Sequence, residues 1–92
     1  MNAPKLRLYV AGDTQNSLRA RANLATLCRD CVAGPCEIEV VDILKEPMRA
    51  LTDGVLMTPT LVRLGSPARR VVGTLSSFDV VVHALGLDDV GE

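Results

Sequence analysis

The side chains best suited to chemistry lie in one short stretch, Cys28-Arg29-Asp30-Cys31, with Cys36 following. Two thiols separated by two residues suit dithiol–disulfide exchange, or supply part of a tetrahedral zinc site. Placement works against both. Cys28 and Cys31 continue the helical spacing of Leu24 and Leu27, late in a helix, where the negative end of the dipole disfavours a thiolate. Packed or partly exposed structural thiols are the commoner outcome there. A zinc site also lacks a fourth ligand unless His83, the single histidine, supplies it. His83 falls near the end of the last helical segment with no recognisable Ser or Cys partner. The acidic pairs Glu37/Glu39 and Asp88/Asp89 carry no pocket signature for acid–base work. The expectation is therefore no catalytic residue, no metal and no cofactor, with a thiol–disulfide protein using Cys28 and Cys31 as the alternative. The basic residues say more. Arg19 and Arg21 on the first helix, Lys45 after the second strand, and Arg69-Arg70 in the last basic stretch suit a surface that meets acidic patches on another protein. Arg19, Lys45, Arg69 and Arg70 are the partner-binding candidates.

The elements that must position these residues follow from pattern. Leu6, Leu8 and Val10 alternate with Arg7 and Tyr9 before Gly12 breaks the run, which predicts a strand and then a polar loop. Thr14 or Asn16 can cap a helix whose apolar positions, from Leu18 through Leu24, Leu27, Cys28 and Cys31, recur at helical spacing until Gly34-Pro35. Ile38, Val40, Val41 and Ile43 form a β-branched second strand, placed at a sheet edge. Pro47 opens a short helix through Thr52, with Asp53-Gly54 as its exit. Thr60–Leu64 and Arg69–Val72, joined by Gly65-Ser66-Pro67, predict an antiparallel pair. Ser76 with Asp79 predicts a capping box, Phe78, Val81, Val82 and Leu85 share one helical face, and Gly86 stops the helix. The order βαβαββα is α/β and thioredoxin-like, with a four-stranded mixed sheet. In that arrangement Pro59, just before the third strand, is a candidate cis proline. A thioredoxin-like enzyme carries its reactive dithiol between the first strand and the first helix. Here that position reads Ala11-Gly12-Asp13-Thr14-Gln15-Asn16-Ser17, without a thiol.

Composition bounds the function further. A chain of 92 residues holds one domain, spanning 1–92 with its core over 6–87. Tyr9 and Phe78 are the only aromatics, so the core is aliphatic. A net charge of −1 argues against general nucleic-acid affinity, which needs an excess of Lys and Arg. No apolar run approaches the roughly 20 residues that cross a bilayer. An odd number of cysteines favours reduced thiols and a cytoplasmic location.

Four blocks of residues in order resemble the KaiB family: Leu6-Arg7-Leu8-Tyr9-Val10-Ala11-Gly12 with Thr14 and Asn16-Ser17; Val41-Asp42-Ile43-Leu44-Lys45-Glu46-Pro47; Thr58-Pro59-Thr60-Leu61; and Pro67-Ala68-Arg69-Arg70-Val71-Val72-Gly73-Thr74-Leu75-Ser76. The resemblance implies an adaptor without an active site that binds a KaiC-type ATPase or a related histidine kinase in clock or stress regulation. It implies a thioredoxin-like docking state, and an alternative state in which the second half refolds and the chain forms tetramers; a dimer is a further possibility for the homo-oligomer. It marks Pro59 and Gly73 as structural positions. The chain departs from the family pattern at Gly65-Ser66-Pro67, where prolines are fewer, at Thr74 in place of the usual aspartate, at Gln15 in place of a loop proline, and in a short acidic tail. These departures bear on refolding more than on partner binding.

Overall fold

The structure, a computed structural model, describes residues 3–32 and 35–87. The elements run β1 (Lys5–Val10), α1 (Gln15–Asp30), β2 (Glu37–Asp42), α2 (Pro47–Thr52), β3 (Thr60–Arg63), β4 (Arg69–Val72) and α3 (Phe78–Ala84). This is the expected order. The sheet is ordered β2-β1-β3-β4, with β1 parallel to β2 and antiparallel to β3, and β3 antiparallel to β4. The second strand is thus an edge strand, as the thioredoxin-like order implies.

Strand alternation divides the interior in two. Leu6, Leu8 and Val10 of β1 and Leu61 of β3 meet Ala20, Leu24 and Leu27 of α1 and Val81 and Leu85 of α3 on one face. On the other, Tyr9, Val41 and Val62 meet Ala50 of α2 and Val55. Each fully buried Leu or Val contributes on the order of 1.5–3 kcal/mol, so these aliphatic clusters hold helices against both faces without help from aromatic stacking.

Local chemistry sets the element ends. Thr14 caps α1, its Oγ1 accepting from the Ser17 N–H. Helix α3 closes in a full Schellman motif: Gly86, at φ 67°, donates to the His83 carbonyl and Leu87 to that of Val82. Its start differs from expectation. Ser77, not Ser76, takes the N-cap position and makes no side-chain cap bond, so the Ser76/Asp79 capping box does not form. Leu75 turns the chain left-handed at φ 65° while its side chain enters the core, which leaves Ser76 one residue ahead of the N-cap, with its hydroxyl 3.5 Å from that of Thr74. Helix α1 also ends earlier than the cysteine spacing predicts, with Cys31 as its C-cap. Gly34 and the Asp88/Asp89 pair lie outside the described residues. The Thr58–Pro59 peptide is cis, and so is Ser66–Pro67. Gly73, at φ 121°, donates its N–H to the Pro59 carbonyl.

Candidate functional site

The loop between β1 and α1, where a thioredoxin-like enzyme would carry its dithiol, is closed by its own hydroxyls and a carboxylate. The Ser17 Oγ accepts from the Ala11 N–H at 3.0 Å and from the Thr14 hydroxyl at 2.8 Å. Asp42 Oδ1 accepts from the N–H groups of Gly12 and Leu44, and these bonds hold its carboxyl below the usual carboxylate range. The side chains of Thr14, Ser17 and Asp42 are thus engaged within the loop itself.

The three cysteines do not form a reactive Cys-x-x-Cys. Cys31 is exposed beyond the end of α1, whereas Cys28 and Cys36 are half-buried and pack against the larger core cluster. The expectation that both Cys28 and Cys31 continue the core face holds for Cys28 alone, because the helix stops at Asp30. Burial first, and then the neighbouring Cys36 thiol, push the Cys28 thiol up to about 12, so it remains protonated at neutral pH. Among the described residues no group of three or more His, Cys, Asp and Glu is placed to hold a metal.

A polar network occupies the α2 face. Arg7 of β1 donates through Nε to Glu39 of β2 at 2.9 Å and through Nη1 to Asp53 at 2.8 Å. The Tyr9 hydroxyl donates to Asp53 and lies 3.0 Å from the Arg49 carbonyl. Arg49 of α2 closes the circuit on Glu39 at 2.8 Å. Hydrogen bonds from Tyr9 and then Arg7 hold the Asp53 carboxyl low, and those from Arg49 and then Arg7 do the same for Glu39. Burial is the main cause that raises the Tyr9 phenol. A cavity of about 220 Å³ opens beside the network, walled by Met48 and Thr52. The network's charges are mutually satisfied, and its effect is to fasten α2 to the β1–β2 pair.

The basic candidates do not converge on one patch. Arg19 is exposed on α1, and Lys45 is exposed just after β2. Arg69 and Arg70 are consecutive in β4, and alternation sends them to opposite faces: Arg69 stands opposite Arg63, whereas Arg70 reaches the Gly54 carbonyl at 2.7 Å. The structure also leaves exposed a set of large apolar side chains that were not singled out from sequence. Leu44, Met48, Leu51, Leu56 and Met57 are all exposed, Leu56 by 90%, on and around α2 and next to Lys45. Such exposed apolar groups mark interaction surfaces. The available signal was that Leu44, Leu56 and Met57 fit neither a strand nor a helix period, leaving them no core to enter.

Comparison with known proteins agrees with this geometry. A family model described as the KaiB domain matches residues 7–87. The chain is 37% identical to the circadian clock protein KaiB3 of Synechocystis sp., covering all of this chain and 89% of that protein. It is 41% identical to a circadian clock oscillator protein KaiB of Prochlorococcus marinus, over 95% of this chain and 76% of the relative. Among solved structures, the N-terminal domain of Synechococcus elongatus SasA superposes with a TM-score of 0.79 at 18% identity, covering 100% of this chain and 88% of that domain. That likeness establishes a shared thioredoxin-like fold.

Proposed function

The chain belongs to the KaiB family, and on that premise we propose that it is a cofactor-free cytoplasmic adaptor that docks on a KaiC-type ATPase, or on a related signalling kinase, and alters its activity or assembly. The observation that carries the reading is the exposed apolar group around α2, beside Lys45, on a fold in which the dithiol position is closed. Leu44, Met48 and Leu51 supply area that gains from burial against a partner, and Lys45 supplies charge that orients the encounter. The open edge of β2, where Ile38 and Val40 are each about two-fifths exposed, offers a second surface for a partner or another copy. Of the remaining candidates, Arg70 lies on the α2 face at the margin of this surface, whereas Arg19 and Arg69 stand on the α1–α3 side of the sheet, where charge affects the rate of association more than affinity.

The test is a titration against a purified KaiC-type hexamer and, in parallel, a KaiB-binding histidine kinase. Saturable binding without turnover is expected with at least one. Met48→Glu should weaken it at least tenfold and Arg69→Glu a few-fold, both with unchanged far-ultraviolet circular dichroism. An unaltered affinity for Arg69→Glu removes that residue from the interface. Absence of binding to both classes overturns the adaptor reading.

A further inference from the structure

Arg63 of β3 and Arg69 of β4 stand directly opposite one another in the antiparallel register. Like charges so placed repel unless something neutralises them. Compensation among the described residues is partial. Arg63 Nη1 donates to the Leu85 and Gly86 carbonyls at 2.8 and 2.9 Å, at the negative end of α3. The Arg69 side chain, exposed on β4, makes no hydrogen bond or ion pair among the described residues. Its guanidinium instead lies over Gly86, where an added Cβ would fall 2.5 Å from Arg69 Nη1 and 3.3 Å from Arg63 Nη1. Two cationic forks therefore converge above a residue without a side chain. They face a cavity of about 300 Å³ whose far wall is the turn Gly65-Ser66-Pro67.

We propose that this cavity is an oxyanion site that takes a phosphate-sized dianion between the Arg63 and Arg69 guanidinium groups above Gly86. The planar fork of arginine matches two oxygens of such a group. Two full positive charges are balanced by a dianion and only half balanced by a carboxylate. Arg63 is held in place by its two carbonyl bonds, so little further ordering is needed when an anion enters. Gly86, required by the helix-terminating turn, also keeps the floor of the site open. The site is on the α3 face of the sheet, opposite the apolar group around α2, and does not depend on the adaptor reading. Phosphate could arrive free or as the phosphoryl group of a nucleotide.

The experiment is a titration of the full-length ¹⁵N-labelled protein with inorganic phosphate at constant ionic strength, with chloride as the balancing anion. Saturable shifts are expected at the Ser66 and Gly86 amides and at the Nε–H groups of Arg63 and Arg69. Arg69→Gln should weaken binding at least tenfold. Arg29→Gln, which removes one charge at the far end of α1, should leave it unchanged. A parallel titration with AMP identifies the source: tighter binding than phosphate points to a nucleotide, equal or weaker binding to the free ion. Acetate binding as tightly as phosphate, shifts that do not saturate, or an unaffected Arg69→Gln variant would each overturn the proposal.

Discussion

Asp53 shows what a single carboxylate does in this fold. It accepts from Arg7 on the central β1 strand and from the buried Tyr9 hydroxyl, while terminating α2 as its C-cap. Replacing it with Asn removes the charge from two hydrogen bonds and leaves Arg7 one carboxylate short. Asp53→Asn should cost about 1.5–3 kcal/mol at neutral pH, the usual worth of a hydrogen bond to a charged group, read by urea denaturation. The pH dependence has a definite sign. The folded-state pKa values of Asp53 and Glu39 are depressed, so their contribution is complete above the unfolded carboxylate range near ~4 and is lost as pH falls through the lower folded values. Asp53→Asn should therefore lose less stability than the wild type on acidification below about pH 4; parallel acid arms would show that the carboxylate is unimportant. None of this network was legible from the sequence, where Asp53 reads only as part of a helix exit. Arg7, Glu39 and Asp53 are far apart along the chain and meet only because the parallel register sets Arg7 beside Glu39. The cysteines, by contrast, were half legible: their spacing argued correctly for a packed Cys28, and failed for Cys31 because spacing does not reveal where a helix stops.

The C-terminal helix shows how an element survives against its own composition. Val80-Val81-Val82 favours a strand, yet the segment is helical and buries Val81, with Leu85 following on the same face. The decisive contributions are at its end. Gly86 closes the Schellman motif, and Arg63 adds bonds to the last carbonyls from a different element. Gly86→Ala should destabilise the protein by about 1–2 kcal/mol, the cost of placing a side chain in the left-handed region. Ser76→Ala should stay within about 0.5 kcal/mol, because the capping box expected from Ser76 and Asp79 is not made. Chemical denaturation of the two variants side by side decides the matter, and equal losses would contradict this account of the helix ends. The Gly86 stop and the apolar face of Phe78, Val81, Val82 and Leu85 were legible because they depend on residues adjacent in sequence. The start was not, since it turns on Leu75 adopting a left-handed backbone to reach a core assembled from β1, α1 and β3.

At the scale of the whole molecule, the thioredoxin-like arrangement commits the second half of the chain to the centre of the sheet. Strand β3 lies between β1 and β4, with Leu61 and Val62 buried on opposite faces. Refolding of the second half would have to withdraw β3 from β1, uncover both clusters and dissolve α3 together with its Arg63 contacts. The short turn Gly65-Ser66-Pro67 works in the same direction, since it joins β3 directly to β4 and lets the hairpin form locally. A Cα radius of gyration of 12.4 Å is what a closed domain of this length should have, by the scaling that gives ~13 Å for 100 residues. The element order behind this architecture was legible because period and turn signals agreed in nearly every segment. In dilute solution the protein should therefore sediment as a chain of 9.8 kDa, give helical secondary chemical shifts at Val80–Val82, and show cross-strand contacts between Leu8 and Leu61, which are register partners here. Strand-like shifts at Val80–Val82 together with a tetrameric mass would establish the refolded state as the ground state. That result would leave family membership intact and make the thioredoxin-like form the one that a partner must select, with its apparent affinity reduced by the fraction of chains that occupy it.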